Sequence, residues 1–371
     1  MSRFDRALAV AGGLPLVSAD PATVTWLTGL VPDIEWGPSP FSAPPVVLLR
    51  PDGTIAAVVS EDEAPGLGDG VEAVTFPGFA LETVDRRAAA CRAVREVLPS
   101  GSLAVELASL PGDVVRTLGE RELHDVRAEL QAARAVKDGD ELEALRSAIR
   151  AADAGQAAAR THARPGLSDL DLWSRVRAAV EEQAGCRTPM LADLVAGPRT
   201  AEVGGPPSQR RLEEGDLLLV DLVPRVSGYW GDSCATLALG RAPAEAARAH
   251  GAATAALEAA RAAVRPGATA GEIDAAAREL LAGEGLSYPH HTGHGLGLTN
   301  HEEPRIVPGA ETRLEPGMVV ALEPGAYGDG WGVRVEQVVV VTDTGHELLS
   351  GHELGLGVRH LKVSDTSHTQ P

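Results

Sequence analysis

Four acidic residues sit in surroundings that penalise charge. Asp221 ends the run Leu217-Leu218-Leu219-Val220-Asp221, and Asp232 opens Asp232-Ser233-Cys234-Ala235-Thr236-Leu237. Glu323 ends Met318-Val319-Val320-Ala321-Leu322-Glu323, and Glu336 falls inside Val333-Arg334-Val335-Glu336-Gln337-Val338. Carboxylates in runs this apolar are costly to bury without partners. Arg334 is the clear base at hand, and a pair of divalent cations bridged by carboxylates would neutralise the rest. Four of the eleven histidines cluster in Pro289-His290-His291-Thr292-Gly293-His294-Gly295-Leu296-Gly297-Leu298-Thr299-Asn300-His301. Imidazole ligates transition metals and carries protons, and the glycines beside His294 let the backbone approach a site closely. Other catalytic signatures are missing. There is no His-Glu-x-x-His zinc motif, no Lys-[Ser/Thr] after the glycines to make a phosphate loop, and no Gly-x-Ser-x-Gly elbow.

The elements that must position these residues come in two similar sets. Arg164-Pro165-Gly166-Leu167-Ser168, with Asp171 three residues on, recurs as Arg265-Pro266-Gly267-Ala268-Thr269 with Glu272, 101 positions later. Each supplies an N-cap hydroxyl and an acid at N3, and each follows an Ala-rich helix predicted over 140–161 or 243–264. Asp221 and Glu323 are 102 positions apart and Asp232 and Glu336 are 104 apart, close to the same offset. This predicts two α/β halves about a pseudo-twofold axis, with the four acids converging near it. Ahead of them, strands are predicted at 46–50 and 55–60 around a Pro51-Asp52-Gly53 turn, and at 71–76 and 103–107. Helices are predicted at 81–98 and 114–120. The alternation implies a small N-terminal α/β domain over 1–137, followed by a second domain over 138–371.

Composition narrows the partners. A chain of 371 residues suits two or three domains. With 33 basic against 52 acidic residues, the formal net charge is −19, which argues against nucleic-acid or anionic-membrane binding. The 5 Trp, 3 Tyr and 4 Phe are too few for base-stacking platforms. No apolar run reaches the length of a transmembrane helix. Arg3 and Arg6 followed by the mild run 7–17 imitate a signal peptide, but Asp5, Gly12, Gly13 and Pro15 interrupt it, so the segment reads as part of the folded chain. Cys91, Cys186 and Cys234 are far apart and form no Cys-x-x-Cys, as expected of reduced thiols in a cytoplasmic protein.

The segments VDLVPRVSGYWGDSCAT, HHTGHGLGLTNHEEP, ALEPG and GVRVEQ resemble the pita-bread metallopeptidases, the family of Xaa-Pro dipeptidase (prolidase), Xaa-Pro aminopeptidase and methionine aminopeptidase. Val24-Thr25-Trp26-Leu27-Thr28-Gly29 resembles the N-terminal domain of the prolidase and creatinase branch. The resemblance implies a C-terminal pita-bread domain holding two divalent metal ions per chain. Asp221 and Asp232 would hold one ion, His294 and Glu323 the other, with Asp232 and Glu336 bridging. Mixed oxygen and imidazole ligation suits manganese, cobalt, iron or zinc. It further implies Glu323 as the catalytic proton acceptor and donor, and His301 as the group that steadies the tetrahedral intermediate and touches substrate. His290 and Arg334 would line the substrate pocket. The implied activity is a dinuclear metal-dependent hydrolase, an Xaa-Pro dipeptidase or aminopeptidase on short peptides, working as a homodimer.

Two departures stand out. In Ala196-Gly197-Pro198-Arg199-Thr200-Ala201-Glu202-Val203-Gly204-Gly205-Pro206-Pro207, Gly204 occupies the place of a substrate-contacting histidine of the prolidases. Cys234-Ala235 replaces the usual Thr-Arg. Arg199 and Glu202 are new polar groups close to the gap, and Arg199 is expected to bind a different substrate head group. The alternative this raises is a creatinase-like or ectoine-hydrolase-like enzyme acting on a small non-peptide amide, and Gly204→His is the substitution that would test whether the missing histidine limits Xaa-Pro cleavage.

Overall fold

A computed structural model describes residues 1–34, 42–78 and 85–358. The chain divides into two compact units. One comprises Met1–Leu142 with the short segments Ser227–Tyr229 and Gly297–Glu303. Its helices are α1 (Arg3–Ala11), α2 (Pro21–Thr28), α3 (Arg86–Val97), α4 (Gly112–Leu118) and α5 (Arg127–Ala135). Its strands are β1 (Leu16–Ser18), β2 (Val46–Leu49), β3 (Ile55–Ser60), β4 (Val71–Phe76), β5 (Leu103–Val105) and β6 (Leu123–Asp125). They form one sheet in the order β4-β3-β2-β1-β5-β6. The runs VVLL and IAAVVS are buried along their whole length, the pattern of strands covered on both faces. Near the start of the chain, α1 opens with a Ser2/Asp5 capping box and ends at a left-handed Gly12.

Two predicted elements are shorter than expected. The helix predicted over 81–98 runs from Arg86 to Val97, with 81–84 lying outside the described residues. The strand predicted over 103–107 stops at Val105 because Glu106 turns into the core. There its carboxylate accepts from Ser18 Oγ at 2.5 Å and from Arg134 Nη1 at 3.4 Å.

The other unit is built around a repeated order of elements. After α6 (Gly139–His162) come α7 (Asp169–Ala184), β7 (Met190–Ala196), β8 (Leu217–Val226), β9 (Tyr229–Trp230) and β10 (Ser233–Ala238). Then follow α8 (Ala244–Ala263), α9 (Ala270–Gly283), β11 (Gly293–Gly295), β12 (Glu302–Ile306), β13 (Val319–Leu322), β14 (Gly325–Gly328), β15 (Trp331–Arg334), β16 (Gln337–Val341) and β17 (His346–Leu348). Strands β7, β8 and β10 make one antiparallel ladder, and β11, β13, β16 and β17 make another. The β14–β15 hairpin stands apart.

The sequence echo is also an echo of hydrogen bonds. Ser168 with Asp171 and Thr269 with Glu272 both close full capping boxes. Gly166 N–H donates to the Leu212 carbonyl and Gly267 N–H to the Leu314 carbonyl, both at 2.8 Å. Ser168 bridges to Arg211 as Thr269 bridges to Arg313. Ala-rich α6 and α8 bury Ala148, Ala151, Ala152, Ala246, Ala249 and Ala253, small side chains that let the helices sit close to the ladders.

The apolar runs around the four acids read as strands, yet three of the acids fall outside the strands that form. Only Asp221 lies inside a strand, where it is in register with Cys234 on one side and Asp193 on the other. Asp232 precedes β10, Glu323 follows β13, and Glu336 occupies the two-residue gap between β15 and β16. A strand interior sends successive side chains to opposite faces, whereas a ladder end can turn its side chain out of that alternation. The backbone amides at two of these breaks stay satisfied. Glu323 N–H donates to the Thr292 carbonyl at 2.8 Å, and Glu336 N–H to the Cys234 carbonyl at 2.9 Å.

Gly231 sets the position of Asp232. A Cβ on it would lie 2.3 Å from the Ala148 carbonyl oxygen of α6, which is backbone and cannot step aside. Gly231→Ala should therefore destabilise the protein by more than about 2 kcal/mol. Gly251→Ala, inside α8 with no described atom beyond its own stretch of helix within 4 Å of the added methyl, should instead stabilise it by up to about 1 kcal/mol. Thermal unfolding of the two variants checks this, and shifts of the same sign would contradict the packing described.

Candidate metal centre

Asp221, Asp232, His294, Glu323 and Glu336 come together in the second unit. Their exposures are 9%, 3%, 2%, 8% and 1%, so four carboxylates and an imidazole share a nearly dry site. One ligand atom each from Asp232, His294 and Glu336 lies within 4.8 Å of the others. His294 Nε2 is 3.6 Å from Asp232 Oδ2 and 3.5 Å from Glu323 Oε1. Its Nδ1 donates to the Gly295 carbonyl at 2.9 Å. That bond puts the proton on Nδ1 and leaves the Nε2 lone pair facing the acids.

The balance of charge is uneven. Arg334, itself buried, pairs through Nη2 with Asp221 Oδ2, and its Nε lies 3.7 Å from Glu323 Oε2. Burial pushes the Asp221 carboxyl up to about 6, with Arg334 opposing and the Glu323 and Asp193 charges adding to the rise. Burial, reinforced by the neighbouring acids, also pushes Asp232 and Glu336 well above the usual carboxylate range. Burial acts to raise Glu323 as well. There it is outweighed by the hydrogen bond from His291 Nε2 at 2.7 Å and by the Arg334 charge, which bring it down to about 2. Glu336 Oε1 is buried with no hydrogen-bond partner among the described residues. An orphaned carboxylate oxygen among other acids, with an imidazole lone pair alongside, is a donor set that fits divalent transition-metal ions.

Neighbouring groups complete the site. His290 Nδ1 donates to the His291 carbonyl at 2.8 Å, so its Nε2 accepts from the Tyr327 hydroxyl at 2.9 Å. Burial brings the His290 pKa down to about 4, which keeps the ring neutral at physiological pH. Arg278 holds this stretch by donating to the His290 carbonyl at 2.6 Å and to Asp274 at 2.8 Å. Arg334 Nη1 donates to the Val203 carbonyl at 2.8 Å.

Three groups that the sequence reading gave no role stand beside the cluster: His291, Tyr327 and Asp193. Asp193 carried the same signal as the ligands, an acid in the apolar run LADLVA, but it had no counterpart in the other half.

Arg199 is placed differently from the expectation. Its guanidinium donates to Asp169 at 3.2 Å, to Ser208 at 3.1 Å and to the Pro206 carbonyl at 3.0 Å. It therefore acts as a strut at the start of α7, and the exposed Glu202 lies 4.0 Å from it. His301 is exposed and belongs to Gly297–Glu303, which packs with the first unit. The single substitution Gly204→His would not restore a simple pocket histidine, since a Cβ there meets Asp193 Oδ2 at 2.0 Å.

The electrostatics carry a pH signature. Asp221, Asp232 and Glu336 hold protons more tightly folded than unfolded, so stability falls as pH rises above about 4. Glu323 acts oppositely, and its contribution is lost only as pH falls below about 4 toward 2. Metal-free protein should therefore melt higher near pH 5 than near pH 8, and a divalent cation should raise the melting temperature most at the higher pH. Thermal unfolding at the two pH values, with and without manganese(II), checks this, and a metal-free stability that rises with pH would contradict it.

Comparison with known proteins agrees with this geometry. The model of metallopeptidase family M24 matches residues 143–343. A probable dipeptidase PepE of Mycobacterium tuberculosis is 35% identical over 226 residues, covering 58% of each chain. The chain thus spans less than two thirds of the length of that relative. An Xaa-Pro dipeptidase of Pyrococcus furiosus is 32% identical over 237 residues, covering 63% of this chain and 67% of its own. Among solved structures, dipeptidase PepE from Mycobacterium ulcerans superposes with a TM-score of 0.77 at 29% identity, covering 97% of each chain. The prolidase from Pyrococcus horikoshii OT3 superposes with a TM-score of 0.82 at 24% identity, covering 95% of this chain and 99% of its own, a likeness of fold. With more than half of its residues matched by that family model, the chain belongs to metallopeptidase family M24.

Proposed function

We propose that the protein is a dinuclear metallopeptidase cleaving Xaa-Pro bonds in short peptides, as a dipeptidase or aminopeptidase. The observation that carries this reading is the convergence of Asp221, Asp232, His294, Glu323 and Glu336 in one dry site, with Glu336 Oε1 left without a partner among the described residues. The names of its relatives, dipeptidase and Xaa-Pro dipeptidase, favour a peptide substrate over the non-peptide amide considered above.

In this reading Asp221, Asp232, His294, Glu323 and Glu336 would hold two divalent ions. Bound there, the ions would supply charge neutralisation of the acids, polarisation of the scissile carbonyl and a more acidic water. Glu323 stays ionised because His291 donates to its Oε1, so it can accept the proton of the attacking water and pass it to the departing amine. His301 donates to the carbonyl oxygen as it becomes tetrahedral. The neutral His290, fixed by Tyr327, and Arg334 orient the substrate.

The same proposal includes a homodimer, manganese as the first metal to try, and an N-terminal domain at 1–137 joined to a catalytic domain at 138–371. The free Cys91, Cys186 and Cys234 support a reducing, cytoplasmic setting.

With manganese(II) added, the protein should hydrolyse Xaa-Pro dipeptides in a panel that includes non-proline controls. Glu323→Ala should lower kcat by about 10²- to 10⁴-fold on whichever substrate works. Absence of turnover across the panel, or full activity in the Glu323 variant, would overturn the assignment.

A further inference from the structure

Asp193 fills the place where the pocket histidine is missing. It lies in β7, in register with Asp221. Its Oδ1 accepts from Gly205 N–H at 2.8 Å, and its Oδ2 lies 3.5 Å from Arg334 Nη2. The side chain remains 39% exposed, so it can meet an incoming molecule. A Cβ on Gly204 would fall 2.0 Å from Oδ2, so the glycine and the aspartate form one arrangement: the first makes the room that the second occupies. Arg334 is the group that would attract an anionic substrate end, but its guanidinium already meets Asp221, Asp193 and Glu323. Since the Arg334 side chain is only 5% exposed, a carboxylate drawn toward it past the partly exposed Asp193 would meet the Asp193 charge as well.

We infer that Asp193 is a specificity-determining residue that disfavours substrates with a free carboxylate beside Arg334 and favours a neutral or cationic group there, an inference that rests on the peptidase reading above. An Xaa-Pro dipeptide with a free C-terminus is then a poorer substrate than its C-terminal amide. Like charges at such a partly exposed spot should differ by about tenfold in binding, and less in salt.

The test uses the full chain with manganese(II) and compares kcat/KM for Ala-Pro with kcat/KM for Ala-Pro amide, in the native protein and in Asp193→Asn. Asparagine keeps an acceptor oxygen for Gly205 N–H and nearly the same volume, and circular dichroism confirms its fold. The acid-over-amide ratio should rise about tenfold in the variant, and the rise should shrink in about 0.5 M salt. Binding of N-acetylproline and N-acetylprolinamide, measured by calorimetry, should show the same change in ratio. If neither peptide is cleaved by the native protein, the peptidase reading fails and the calorimetry alone decides the role of Asp193. A ratio changed by less than about twofold in the deciding measurement, or no binding of either probe there, overturns the inference.

Discussion

Asp221, Asp232, Glu323 and Glu336 lie almost wholly out of water, and among the described residues the guanidinium of Arg334 reaches two of them. A protein chain holds such an arrangement only where the surrounding fold leaves the acids no other place, or where cations complete it. Both conditions shape the second unit. Each ladder delivers an acid at a point where its strand pairing begins, ends or breaks, and helices rich in alanine close the ladders from behind. Gly231 allows the backbone before Asp232 to rest against the Ala148 carbonyl. The capping boxes at Ser168 and Thr269 fix the start of α7 and α9 in the same way in both halves, which keeps the two sets of acids in register with each other.

The same shortage of positive charge gives Arg334 more than one role. It pairs with Asp221, faces Glu323, and borders Asp193, while Thr236 holds its backbone on both sides through hydrogen bonds of 2.9 Å. A side chain fixed this firmly is a template, and whatever binds beside it must match the charge its partners leave. Histidines next to the cluster divide the remaining work. His294 is locked by the Gly295 carbonyl as a lone-pair donor, His291 holds the proton that keeps Glu323 ionised, and His290 is kept neutral by burial.

Much of this was legible in the sequence, because burying an acid in LLLVD or VVALE is too expensive to be incidental and the pattern occurred twice. What escaped the sequence depended on partners far away along the chain. Asp193 looked like any single acid in a strand until register placed it opposite Asp221. Arg199 looked free to meet a substrate until Asp169 and Ser208 were found to hold it. The strand after Leu103 ended early because Glu106 had Arg134 and Ser18 to satisfy it inside the core. A sequence shows apolar runs but not the gap between β15 and β16 that carries Glu336.

On this reading the buried acids hold protons when metal is absent and would exchange them for divalent cations. Calorimetric titration of metal-free protein with manganese(II) near pH 6, repeated in buffers of different ionisation enthalpy, counts ions and protons together. Two ions should bind per chain with a net release of protons, since burial pushes Asp221 up to about 6 and Asp232 and Glu336 well above the usual carboxylate range. Binding without proton release, or no binding at all, would contradict it.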